Sequence, residues 1–177
     1  MPDKKMLFVV WLSLIAAPGY GQQILDFPVP TGVTNMLFYL QRTPNTNTVI
    51  YEINMKDGVL DSVEPVHIFW IRYADKGQRE ELTEIQRNLA YGLVMKKIRP
   101  EEFELRFHAK KEHVFILKKG NDERYHVFVS INNKSAVLEK IFLQINGGPV
   151  FSPNIEYVMF YGSDAETGEP VSEQVRL

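Results

Sequence analysis

The chain contains no cysteine. That absence excludes a disulfide framework, a thiol nucleophile, a thiolate metal centre and a lipid anchor built on cysteine. Stability must therefore come from an apolar core, and 177 residues are enough for one domain with such a core. Basic charge is also scarce: 20 Lys and Arg against 22 Asp and Glu give a formal net charge of −2. Such a balance offers no electrostatic reason to expect nucleic acid as a partner. The familiar catalytic signatures are missing as well. There is no G-x-S-x-G elbow, no H-E-x-x-H, no phosphate-binding lysine loop and no dinucleotide glycine pattern.

What is present begins at the N-terminus. Lys4 and Lys5 precede the apolar stretch "MLFVVWLSLIAA", and Gly19 and Gly21 are small enough for signal peptidase subsites. This pattern predicts a signal peptide over residues 1–21, cleaved before Gln22, and an exported protein, periplasmic or extracellular. Twelve apolar residues fall short of the ~20 that span a bilayer, and no later apolar run reaches that length. No membrane span is expected after cleavage. Residues 22–35, with Pro28, Pro30 and Gly32, read as an extended leader into a single domain over 36–177.

Within that domain, short β-rich runs alternate with turn signals. Strands are expected near 36–42, 48–56, 65–74, 93–99, 102–109, 113–118, 124–132, 136–146 and 155–162. Asp57-Gly58, Gly120-Asn121-Asp122, Asn132-Asn133-Lys134 and Asn146-Gly147-Gly148-Pro149 supply the breaks. In "EFELRF", Phe103, Leu105 and Phe107 alternate with Glu102, Glu104 and Arg106, so one face is apolar. "HIFWIRY" is apolar on both faces, as a covered strand would be. Leu82, Ile85 and Leu89 recur at helical spacing, which predicts one amphipathic helix over about 79–91, laid on the sheet or closing a barrel end. The polar tail "SDAETGEPVSEQVRL" reads as a loop with a loosely held end. The fold class is thus mainly β: a single antiparallel barrel or sandwich of about nine strands with one helix.

Two stretches, "LFYLQRTPNTNTVIYEIN" and "PVHIFWIRYADKGQREELTEIQRNLAYG", resemble a family of small secreted bacterial proteins classed as a domain of unknown function. The resemblance runs from about Asn35 to Phe160. It implies one compact domain behind a signal peptide, and it brings no activity, ligand or functional residue with it.

The residues themselves point to one polar cluster. Arg42 ends the first strand, Arg72 lies in the third beside Trp70, and Arg87 lies on the helix. Gln41, Asn54, Gln86 and Tyr91 are placed to surround them. An arginine in a strand that is apolar on both faces must be paired or must face a cavity. Guanidinium groups suit carboxylate, phosphate or sulfate, and Arg72 is the expected ligand contact, in a cavity joining Trp70 and Arg72 to the helix. The competing account has these side chains bracing the loop and helix through backbone carbonyls and acidic partners.

A tight turn at Lys110-Lys111 would set His108 opposite His113, but two histidines make no closed metal site, so neither metal nor cofactor is expected. Glu52, Glu102 and Glu104 are eligible as catalytic carboxylates with nothing to single them out. Function is not legible in the sequence. The favoured role is a non-enzymatic exported module for a small amphipathic or acidic ligand. The alternatives are an envelope domain that binds another protein, and a hydrolase or lyase using a carboxylate or histidine base.

Overall fold

A computed structural model of the chain describes residues 26–149 and 152–176. The expected signal peptide and the first four residues of the leader lie outside the described residues. Thirteen strands are present among those described. The first six are β1 (Met36–Arg42), β2 (Asn45–Ile53), β3 (Met55–Lys56), β4 (Val59–Leu60), β5 (Val66–Arg72) and β6 (Gln78–Glu81). After a short helical segment come β7 (Leu93–Arg99), β8 (Glu102–Phe107), β9 (Phe115–Lys119) and β10 (Tyr125–Ile131). The last three are β11 (Lys134–Ile145), β12 (Ile155–Asp164) and β13 (Pro170–Arg176).

Eleven of these strands form one curled sheet, a half-barrel, in the order β6-β5-β2-β1-β11-β10-β9-β8-β7, with β12 and β13 attached through β11. The long strand β11 is the seam. Its first residues, Lys134–Val137, pair with β10, and Lys140–Leu143 pair with β1. Along the opposite edge β12 runs from Ala136 to Ile145. The β1–β11 pair is parallel, whereas the remaining pairs are antiparallel.

Period-two alternation builds the core. Phe38 and Leu40 of β1, Val49 and Tyr51 of β2, and Ile68 and Trp70 of β5 face inward against Leu105, Leu117, Ile141 and Phe160. The opposite face of the same strands carries Ile50, Phe69 and Ile71, covered by Val33, Met36, Tyr39 and Tyr73. The leader runs over this outer face, where Gln41 Nε2 donates to the Pro28 carbonyl at 2.8 Å and Phe27 stands edge-on to Phe142. This second layer explains why β5 is apolar on both sides.

The expected turns form where left-handed backbone is needed: Asp57 and Gly58 join β3 to β4, and Asn132 and Asn133 join β10 to β11, all at positive φ.

Three expectations are corrected. The helix does not begin near 79. Gln78–Glu81 is strand β6, paired with β5 from Phe69↔Glu81 to Arg72↔Gln78. Its charges find cross-strand partners there, and the helix starts only after Thr83. Thr83 Oγ1 accepts from the Gln86 amide while Gln86 Oε1 accepts from the Thr83 amide, a reciprocal cap. Helix α1 (Glu84–Gln86) then widens into a π-turn over Arg87–Tyr91. Second, the tail is no loose loop: β13 pairs with β12 from Ser163↔Pro170 to Tyr157↔Arg176, and Val171 and Val175 pack on the core. Third, Leu105 faces Phe115 across β8 and β9, and residues 108–114 form an irregular loop rather than a tight turn. His108 and His113 are therefore not cross-strand partners.

Candidate ligand cavity

Arg42 shares the inward side of β1 with Phe38 and Leu40, two and four residues earlier, so the strand's pleat turns its side chain toward the barrel interior. Its position is fixed by β11. Leu143 lies opposite it on β11, and the adjoining Thr43 amide donates to the Leu143 carbonyl at 3.1 Å. Thr43 Oγ1 also accepts from the Ile145 amide at 2.8 Å.

The space that Arg42 enters is a half-open cavity of about 830 Å³. This lies within the ~300–1,000 Å³ of small-molecule sites. Its floor is apolar: Leu40, Phe115, Ile141, Val158 and Phe160, each less than 9% exposed. Toward the mouth stand helix residues Ile85, Gln86, Leu89 and Tyr91, the loop residues Lys110 and His113, and the segments around Gly147 and Pro153. The ionisable side chains lining the cavity are Arg42, Tyr91, Lys110 and His113. No Asp or Glu lines it among the described residues, although the chain carries 22 acidic residues.

The guanidinium of Arg42 lies 5.9 Å from the ring centroids of both Trp70 and Tyr91. Its Nε is buried and has no hydrogen-bond partner. Cation–π contacts of this kind contribute roughly 0.5–2 kcal/mol but do not satisfy an N–H. Burial pushes the Tyr91 phenol up, and the adjacent Arg42 cation works against that shift. Trp70 meets Tyr91 edge-on at 4.9 Å and reaches Gln86 Oε1 through its indole N–H at 3.4 Å. Arg42, Gln86 and Tyr91 of the cavity wall are thus packed together as one unit through Trp70 behind them.

Four of the eight residues expected at a ligand site come together in this unit. The other four lie elsewhere. Arg72 is away from the cavity and paired with Asp75 at 2.8 Å and Glu80 at 3.0 Å. Arg87 pairs with Glu64 at 3.1 Å, and Asn54 donates to the Glu64 carbonyl at 2.9 Å. Gln41 is fully buried under the leader, donating to Pro28 and to Thr48 Oγ1. The cavity expected to join Arg72 to the helix joins Arg42 to it instead. In the first hairpin, Asn45 Oδ1 accepts from the Asn47 amide and Asn47 Oδ1 from the Ala74 amide, so these side chains brace the loop.

Sequence reading missed Lys110, His113, Gly147, Gly148, Pro149, Ser152 and Pro153 as lining residues. Only "NGGP" was marked among the last of these, as a turn. Among the described residues no three His, Asp or Glu side chains stand close enough to hold a metal ion. Glu52 is bonded to His67 and Arg79, Glu104 to Arg106, and Glu102 lies 3.7 Å from Arg99. None of the three reaches the cavity.

No curated protein and no solved structure matches this sequence. A family model described as Domain of unknown function (DUF4833) matches residues 38–174. That span holds most of β1 through most of β13 with the cavity between them, and the chain belongs to this family.

Proposed function

We propose that the protein is a non-enzymatic binding module whose half-barrel cavity takes a small amphipathic ligand with its acidic group on Arg42. One observation carries the reading: a half-buried arginine, its Nε buried and unpartnered, lines an apolar cavity that no carboxylate lines among the described residues. An ionised group in such a place is costly until a counter-charge arrives. The N-terminal pattern at residues 1–21 supports a role outside the cytoplasm. An envelope protein partner is the other role in play, but nothing in the geometry favours it over the cavity.

The test is titration with the amphipathic anion 8-anilinonaphthalene-1-sulfonate, read by fluorescence. Wild-type protein should bind one equivalent with blue-shifted emission, and Arg42→Met should bind at least tenfold more weakly. Absence of binding, or equal binding by the variant, would overturn the proposal.

A further inference from the structure

Resting on the binding role just proposed, we infer that the ligand class is a monocarboxylate with an unsubstituted hydrocarbon tail, its head on Arg42 and its tail along the apolar wall.

The head group follows from which nitrogen is free. Nε shares an edge of the planar guanidinium with one terminal nitrogen. Nε has no hydrogen-bond partner, and a carboxylate that took it together with the terminal nitrogen on the same edge would supply one. Two parallel donors match the two oxygens of a carboxylate. Arg42 stands half-buried in the wall, whereas Lys110 is exposed at the rim, so a single negative charge balances the guanidinium. A phosphate monoester would bring close to a second charge with no buried partner.

The missing carboxylates narrow the class further. An amino acid or peptide N-terminus would place an ammonium in a cavity without Asp or Glu. A sugar acid would set hydroxyls against Leu40, Phe115, Ile141, Val158 and Phe160, which offer no hydrogen bond. Ile85 and Leu89 add a second apolar surface. Both line the cavity while 57% and 58% exposed, area that a bound tail would take out of water.

The experiment is displacement of 8-anilinonaphthalene-1-sulfonate from the purified protein by straight-chain carboxylates of increasing length. Alcohols of the same lengths, dodecyl phosphate and phenylalanine are run beside them. Carboxylate affinity should rise about fourfold per methylene, from ~0.8 kcal/mol per buried CH₂ and 1.4 kcal/mol per tenfold, until the tail fills the cavity. Each carboxylate should bind at least tenfold better than its alcohol and better than the phosphate, and phenylalanine should not compete. Arg42→Met should bring carboxylate and alcohol within about threefold of each other. Ile155→Trp, which narrows the cavity from β12, two strands away from Arg42, should move the length plateau to shorter tails. That second variant decides the matter should Arg42→Met fail to fold. Probe binding without displacement by carboxylates, or displacement independent of length, overturns the ligand class and leaves the binding role standing. Failure of the probe itself to bind overturns the binding role.

Discussion

Tyr51 donates a hydrogen bond of 2.9 Å to the carbonyl of Tyr91, tying the centre of the sheet to the last residue of the helical segment. Tyr51 is fully buried and stacked at 4.2 Å on Phe38, and burial pushes its phenol well above the ordinary range. The bond holds one wall of the cavity to the core. Tyr51→Phe keeps the ring and loses that tie, so the expected cost is about 1–2 kcal/mol. Urea unfolding of the two proteins measures it. An unchanged midpoint would show that the helical segment is held by packing alone.

Arg42 and Arg72 should respond to mutation in opposite ways. Arg42→Met removes a poorly satisfied cation and keeps its apolar stem volume, so ligand-free stability should stay within about 1 kcal/mol of wild type or rise. Arg72→Ala removes a half-exposed pair with Asp75 and Glu80, costs up to ~1 kcal/mol and leaves probe binding intact. Loss of binding in Arg72→Ala with wild-type folding would contradict the assignment of the head site to Arg42.

His67 gives the fold a pH dependence. Burial alone would lower its pKa, but hydrogen bonds to Glu52 and Glu81, each 2.9 Å, outweigh burial and raise it. Arg79, 3.2 Å from Nδ1, opposes the protonated form. Because the folded value is the higher one, this contribution is full below the unfolded value of about 6.5 and fades as pH rises through the folded value. Wild type should therefore lose stability over that interval, and His67→Gln should not. Chemical-denaturation midpoints at pH 5.5 and 8.5 compare them. Equal slopes in both proteins would sink the idea.

Gly92 ends the helical segment with a close approach. A Cβ there would lie 2.0 Å from the Arg87 carbonyl oxygen, against backbone that cannot step aside cheaply. Gly92→Ala should cost more than 2 kcal/mol and weaken probe binding together, because the same turn carries Leu89 and Tyr91 into the cavity. Thermal melts and probe titration read both effects, and a variant as stable as wild type would refute the clash.

Much of the fold was legible because alternation is a local signal. Strands β1 and β7 fall at 36–42 and 93–99 as expected, and the turns at Asp57-Gly58 and Asn132-Asn133 follow from backbone preference. What failed was decided by distant partners. "QREE" is hydrophilic enough for the outside of a helix, and only the arrival of His67 and Arg72 beside it makes it a strand edge. The tail's two valines at 171 and 175 were a period-two signal too sparse to read without β12 alongside. The two arginines show the same limit. Arg42 and Arg72 each follow inward-facing residues two and four positions before, so parity cannot separate them. What separates them is Asp75 and Glu80, which reach Arg72, and the absence of any acid at the Arg42 end among the described residues.

The seam along β11 has a consequence for the width of the cavity. Strands β1 and β10 take successive stretches of one edge of β11, so the two arms of the half-barrel diverge from a single line. A change of angle between the arms would widen or narrow the cavity while each arm kept its own ladder of hydrogen bonds. The width of the cavity is therefore written in the register of one strand, at the step from Val137 to Lys140 where β11 passes from one arm to the other.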